Sequence, residues 1–409
     1  MKKKNITQNI LLAFLIGILI GILFNFLKEP FPSLHEIIVN EIFKFGGDLF
    51  LKILKMLVVP IVFCSLICGV CSLNDFASLG RMSFKTIAIY ILTTSLAISL
   101  ALLIASIFDP GLSQDTKILS KNFEVKSAPE LSKVLTDIIP QNPFKALVEG
   151  NMLQVIFFSI ILGISISLCN EKGKPVADFF ISLNDVILKA LEIVMIVAPF
   201  GIFCLIANTF ASQGIAMILE LAKYFLTVVL VLIIHMFFVY GSLVKLFAKI
   251  SPISFFLKIK EAMFFAFSTS SSSATIPVTL RNVKENLGVK NKVASFTVPL
   301  GSTINMDGTA IMQGVATIFI ANIYSESLIF SDFLTIILTA TLASVGTAGV
   351  PGVGLIMLGM VLNQVGLPLE GIAIVMGVDR LLDMLRTSIN VSGDAMVSLL
   401  IDKSESTKN

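Results

Sequence analysis

The sequence predicts an all-α polytopic membrane protein with eight transmembrane helices plus two re-entrant helical hairpins. Three observations predict it. Hydrophobic residues make up 56% of the chain and charged residues only 14%, with a mean hydropathy of +0.93, whereas a soluble domain carries about a quarter charged. Long apolar runs recur without the alternating ten-residue pattern of a membrane barrel. Lys and Arg collect in every second connection, as the positive-inside rule requires. The net charge of +3 is too small for a nucleic-acid partner, so the lipid bilayer is the expected surrounding.

The spans follow in order at 6–27, 47–72, 84–108, 148–169, 179–211 and 217–247, then two less uniform ones at 293–321 and 371–401. The first has a basic flank, Lys2, Lys3 and Lys4, and an apolar core longer than a cleaved signal, so it reads as a membrane helix. Arg81 and Lys85, Lys172 and Lys174, the group Lys245, Lys249, Lys258 and Lys260, and Lys403 and Lys408 mark the inner side. Both termini are therefore expected in the cytoplasm, with a bacterial-type inner (plasma) membrane as the location. The charge-balanced connector 109–147 is expected to be an outer surface excursion. The cysteines Cys64, Cys68, Cys71, Cys169 and Cys204 all lie inside apolar runs and read as small packing residues.

Two segments do not fit a single crossing. Segment 251–282 is flanked by Lys258 and Lys260 on one side and Arg281, Lys284, Lys290 and Lys292 on the other, so both ends read as inside. It must enter and return, with TSSSSATIP (Thr269 to Pro277) as the turn and arms of about ten residues, half a bilayer at helical rise. Segment 331–366 has no Lys or Arg around it from Asn322 to Asp379, and its GTAGVPG breaks any helix, so it reads as a hairpin entering from outside. Non-helical backbone at that depth is tolerable only against protein or a water-filled cavity. Each hairpin precedes a polar helix, and 251–321 paired with 331–402 has the form of an inverted repeat, a common construction of secondary transporters.

The last helix carries Asp379, Asp383, Arg386, Asn390 and Asp394 at spacings of four, three, four and four. At about 100° per residue these form one stripe bordered by Thr387. Ionisable groups in a bilayer face a cavity or one another; the plainer reading is a packing ion pair of Asp383 with Arg386. In PLGSTINMDGTAIMQG, Asn305 and Asp307 sit between Gly301 and Gly308. An unwound turn there would free carbonyl oxygens, which with a carboxylate and an amide make a hard-oxygen site suited to Na⁺. A kinked helix with a satisfied Asp is the alternative.

SSSSATIP, NMDGT, GTAGVPG and DMLRTSINVSGD, together with NPFKALVEGNMLQVIFF, occur in an order and spacing that resemble the dicarboxylate/amino acid:cation symporters, the family of glutamate and aspartate transporters, over essentially the whole chain. The resemblance implies an elevator-type transporter assembled as a homotrimer. Residues 1–72 (helices 1 and 2) and 110–216 (helices 4 and 5 with the outer loop) would form the scaffold. Helix 3 (73–109), helix 6 (217–250), hairpin 1 (251–287), helix 7 (288–322), hairpin 2 (331–367) and helix 8 (370–402) would form the moving transport part. It also implies substrate contacts: Arg386 with the side-chain carboxylate, Asp383 with the ammonium group, Asn390 and the Ser272 backbone with the α-carboxylate, and a hydroxyl from Thr309. Thr387 borders the pocket, and Val350 and Gly354 lie in the outer tip. Three Na⁺ sites are implied: Gly301, Asn305 and Asn390 carbonyls with Asp394; Thr303 with Ser344, Val345 and Thr347; and Thr94, Ser95, Asn305 and Asp307. The potassium-coupled relatives place an Arg where this chain has Met384, and Ser270 stands where some archaeal ones have Arg, so potassium countertransport is not expected.

The chemistry of the residues points the same way. A substrate with an ammonium group and a second carboxylate needs one fixed anion and one fixed cation, and only Arg forks onto a carboxylate in two bonds. A C4-dicarboxylate has no ammonium and would leave Asp383 unpaired; a neutral amino acid would leave Arg386 unpaired. The expectation is a secondary symporter importing L-aspartate and L-glutamate with Na⁺, with H⁺ coupling or a C4-dicarboxylate carrier as the alternative. It is not expected to be an enzyme: the only histidines, His35 and His235, lie outside the motifs, so the Ser run has no base beside it. A passive channel has no use for two occluding hairpins.

Overall fold

The computed structural model describes residues 6–71, 76–111, 139–213, 216–344, 349 and 351–406, and every regular element among them is helical. The first group comprises α1 (Ile6–Leu27), α2 (Pro32–His35), α3 (Lys44–Cys71, continued from a π-helical turn at Glu36–Phe43) and α4 (Phe76–Phe108). A short α5 (Pro143–Glu149), capped by Asn142, leads into α6 (Met152–Leu168) and the long α7 (Lys174–Gln213). Next, α8 (Ala216–Ile234) runs on through π-helical and α turns to Ala248. The sequence then folds into α9 (Pro252–Thr269), α10 (Ser272–Arg281), α11 (Asn291–Ile304), α12 (Asp307–Ile323), α13 (Phe330–Ser344), α14 (Val353–Gln364) and α15 (Ile372–Ser406). Residues 112–138 of the expected outer excursion lie outside the described residues.

Met82–Phe108 and Leu219–Ala248 are each long and apolar enough to cross a membrane. The apolar helices at the periphery carry side chains that no other part of the chain covers, such as Leu19, Phe84 and Phe238. In water such surface would be a liability; in lipid it is the solvent contact. The helices packed at the centre are different. Almost every residue of α12 is buried, and α12 packs against α4, α8 and α15.

Polar contacts place the ends of the helices. Near the start of α4, Lys85 pairs with Glu405 (2.8 Å) and Ser404 (2.6 Å) at the end of α15, and the Lys290 N–H reaches Asp402 (3.2 Å). Just past the other end of α4, Asn322 donates to the Pro110 carbonyl (3.0 Å), and Glu220 accepts from the Gly111 N–H (2.9 Å). Positions that the charge pattern put on one side thus cluster at one end of α4, and those it put on the other side cluster at the opposite end.

The two odd segments each fold back on themselves, α9 on α10 and α13 on α14. The first departs from expectation in its proportions. Its leading arm has 18 residues, about 27 Å at helical rise, instead of the half-bilayer arm the sequence suggested. The Ser run is also mostly helical. The chain reverses at Ser270, which takes a left-handed φ of 51° and closes α9 with its N–H on the Ala266 carbonyl. Ser271 then caps α10, accepting from the Ala274 N–H at 3.2 Å. A serine hydroxyl at that position satisfies one of the orphan amides of a first turn, so the serines that follow continue as helix.

The polar helix breaks as its glycines suggested. Helix α11 ends at Ile304, Asn305 is extended (φ −93°, ψ 96°), and α12 begins at Asp307.

Candidate functional site

The centre of the molecule is where the two hairpin tips, the α11–α12 break and the polar stripe of α15 meet. The tips touch directly: Ser271 Oγ donates to the Gly349 carbonyl at 2.7 Å and the Ser273 N–H reaches the same oxygen at 3.2 Å. A helix that ends or begins here turns polar backbone toward the centre, and the chain provides partners for it. Asn390 on α15 accepts from the Gly308 N–H at 2.7 Å, and its amide lies 3.3 Å from the Met306 sulfur. Asn390 therefore braces the break.

Arg386 is the largest fully buried side chain among the described residues. Its Nη1 donates to Asp379 Oδ1 at 2.7 Å and its Nη2 to Asp383 Oδ1 at 2.8 Å. All three are on α15, seven and three residues apart, so the helical period itself stacks them on one face. The ion pair of Asp383 with Arg386 is thus present, and it is one half of a three-residue network. The other oxygen of Asp383 accepts weakly from the Gly352 N–H of the outer tip (3.4 Å) and lies 3.8 Å from Arg380 Nη1. Arg380, which falls off the polar stripe in projection, reaches it through its long side chain. Thr387 turns its hydroxyl to the Asp383 carbonyl at 2.7 Å. Arg386 Nε, also buried, has no partner. Ser272 and Thr309 are buried around the same centre and Gly354 sits over the guanidinium, whereas Val350 lies outside the described residues.

Beside this network lies a cluster of oxygens. Asn305 Nδ2 donates to the Asn390 carbonyl and to Asp394 Oδ1, both at 2.9 Å, which turns its own Oδ1 away as a buried acceptor without a partner. A Cβ on Gly301 would fall onto Asp394 Oδ1 and the Tyr90 hydroxyl, so only glycine lets α11 approach so closely. An orphaned amide oxygen, a carboxylate and the carbonyls of a broken helix fit a hard cation such as Na⁺.

Asp307 is held by a different set. Thr94 donates to its Oδ1 at 2.5 Å, Tyr240 to its Oδ2 at 2.8 Å, and His235 Nε2 lies 3.1 Å from Oδ2. Of the three residues grouped with Asp307 by resemblance, only Thr94 bonds to it directly. Asn305 turns toward Asp394, and Ser95 is bonded to the Ile91 carbonyl (2.8 Å) and lies 3.3 Å from Thr341. In the remaining group, Thr303 and Ser344 bond to carbonyls three residues back in their own helices, and Val345 and Thr347 lie outside the described residues.

His235, Tyr240 and Tyr90 went unassigned in the sequence. His235 lies far from NMDGT along the chain, yet it is in contact with Asp307 in the fold. A signal existed: it is one of two histidines, placed in an apolar span, and an ionisable residue at membrane depth is a functional candidate by default. Cys64 and Cys71 are buried, Cys71 donates to the Gly163 carbonyl, and among the described residues no three His, Cys, Asp or Glu side chains converge as metal ligands.

The model of the sodium:dicarboxylate symporter family matches residues 6–404. The chain is 36% identical over 372 residues to the proton/sodium-glutamate symport protein of Geobacillus stearothermophilus, covering 89% of this chain and 88% of the relative. It is 36% identical over 376 residues to the proton/glutamate-aspartate symporter of Escherichia coli strain K12, covering 88% and 84%. Against excitatory amino acid transporter 1 of Ambystoma tigrinum it is 32% identical over 417 residues, covering 88% and 77%.

Proposed function

The chain belongs to the sodium:dicarboxylate symporter family, which makes it a membrane transporter and not an enzyme, and from that premise we propose that it imports L-aspartate and L-glutamate coupled to Na⁺. The observation that carries the substrate class is the buried Arg386 with two carboxylates on its terminal nitrogens and an unpartnered Nε. Guanidinium and carboxylates in one pocket match a zwitterion with a second acid group: the side-chain carboxylate takes Arg386 and the ammonium takes Asp383. A C4-dicarboxylate that draws Arg386 Nη2 away from Asp383 brings no ammonium to replace it, and taking a charged partner from a buried carboxylate is costly. The α-carboxylate falls to the Ser272 backbone, at the N-terminus of α10, where the next two amides are already taken by the Gly349 carbonyl and the Ser271 hydroxyl. Thr309 and Thr387 complete the wall, and Gly354 beside the outer tip covers it.

Na⁺ is supported by the donor chemistry beside this pocket. Asp394, the Asn390 carbonyl, Gly301 and Asn305 would hold one ion; Asp307, Thr94 and Ser95 a second; Thr303, Ser344, Val345 and Thr347 a third. Bound there, the ions would supply the positive charge that the buried Asp394 and Asp307 otherwise lack. The chain's own residues keep that chemistry in place: Asn305 ties Asp394 to the α11–α12 break, and Asn390 ties the same break to the substrate stripe. Binding of substrate and of cation therefore share one structural element. Eight crossings with two re-entrant hairpins, cytoplasmic termini, residence in the plasma membrane, a homotrimer and an elevator motion of the hairpin-bearing part complete the reading.

The relatives include proton-coupled proteins by name, and His235 against Asp307 gives this chain a buried ionisable pair, so H⁺ coupling is the second reading. Uptake of labelled aspartate into proteoliposomes decides between them. A sodium gradient at fixed pH is expected to drive accumulation, with glutamate competing and succinate and malate not. Accumulation driven by a proton gradient alone replaces the coupling ion; competition by C4 acids at aspartate's potency overturns the substrate.

A further inference from the structure

Asp379 is assigned no substrate group in the transport reading, yet it bonds Arg386 as closely as Asp383 does, at 2.7 Å against 2.8 Å. A guanidinium carries five N–H groups on three nitrogens and forks onto a carboxylate along one edge at a time. Asp379 occupies Nη1. Of the other two nitrogens, which form one edge, Nη2 is held by Asp383 and Nε has no partner. Nε is buried without an acceptor, and a buried donor is kept in that state at a cost unless something is meant to accept from it. Nη2 lies under the outer tip: a Cβ built on Gly354 would stand 3.2 Å from it.

The two carboxylates also differ in what else holds them. Asp383 is the more accessible, with 11% of its side chain exposed against 5% for Asp379. Its second oxygen already faces the Gly352 N–H and Arg380. A substrate ammonium arriving at Asp383 competes with Nη2 for its charge. Nη2 is then released to join Nε, while Asp379 stays on Nη1.

We propose that Asp379 is a specificity-determining positioning residue: it holds Arg386 by Nη1 throughout, leaves the Nε–Nη2 edge as the docking edge for the acid side chain, and sets how far that edge stands from Asp383. That separation is what distinguishes one methylene between ammonium and carboxylate from two. The inference rests on the acidic amino-acid reading above. A site of fixed depth separates ligands differing by one methylene by roughly 10- to 200-fold, so a displaced anchor has a measurable effect.

The test is the ratio of L-aspartate to L-glutamate affinity in the reconstituted full-length protein, measured by competition against labelled aspartate. Asp379→Glu adds a methylene behind Nη1 and pushes the docking edge toward the substrate. The ratio is expected to move toward aspartate, the shorter acid, by at least threefold. Asp379→Asn removes the charged anchor and is expected to weaken both ligands, the preferred one more. Ratios within twofold of wild type in Asp379→Glu, or a shift toward glutamate, overturn the proposal, and this variant decides alone should the amide fail to reconstitute. Wild-type protein that binds neither acid sinks the transport reading itself, a result distinct from an unmoved ratio in a competent carrier.

Discussion

Replacing Arg386 by lysine separates charge from geometry. The guanidinium makes two charge-assisted bonds, at 2.7 Å and 2.8 Å, to carboxylates on either side of it. A lysine keeps the positive charge but presents it at a point, and it cannot fork onto a carboxylate while still held by Asp379. The substrate's side-chain carboxylate then loses one of two bonds. A hydrogen bond to a charged group contributes about 1.5–3 kcal/mol, which at about 1.4 kcal/mol per decade is roughly 10- to 150-fold in dissociation constant. Arg386→Ala acts differently. It strips the partner from two buried carboxylates at once, and breaking one buried pair already costs about 3–5 kcal/mol, so that variant is expected to lose stability as well as binding. Titration calorimetry with aspartate in saturating sodium reads the affinity, and thermal unfolding followed by circular dichroism reads the stability. An Arg386→Lys protein that binds aspartate within twofold of wild type, or an Arg386→Ala protein as stable as wild type, would refute the assignment of Arg386 as a doubly paired carboxylate receptor.

Further outcomes follow from the same geometry. Asp394→Asn keeps the shape but removes the charge from the oxygen cluster around Asn305, and the sodium concentration for half-maximal uptake is expected to rise at least tenfold; an unchanged sodium titration would discredit that site. Gly301→Ala would gain about 1 kcal/mol as a helix substitution elsewhere, but its Cβ meets Asp394 Oδ1 and the Tyr90 hydroxyl, so lower sodium affinity and lower thermal stability are both expected, and a stabilised variant with native sodium dependence would contradict the close approach. Ser271→Ala removes a helix cap and the 2.7 Å bond to the Gly349 carbonyl. The cap contributes about 1 kcal/mol, and freeing the outer tip is expected to speed aspartate release; a release rate equal to wild type would show that the tip contact does not hold the lid.

The sequence by itself determined whatever has a local period or a local break. The polar stripe of α15 is legible because residues three, four and seven apart share a helix face, so Asp379, Asp383 and Arg386 meet through the helix alone. The interruption at Asn305 is legible from the glycines around it, and the grouping of helix ends from the spacing of Lys and Arg. Tertiary structure alone decided what the local pattern cannot carry. It brought His235 and Tyr240, about seventy residues upstream, onto Asp307, and set the Gly349 carbonyl on Ser271, 78 residues away. It also made most of the Ser run helix, because the Ser271 hydroxyl caps α10 where composition alone reads as a turn. Periodicity reports which face of a helix is polar. Which neighbour that face meets depends on how the helices pack, and that is a property of the whole chain.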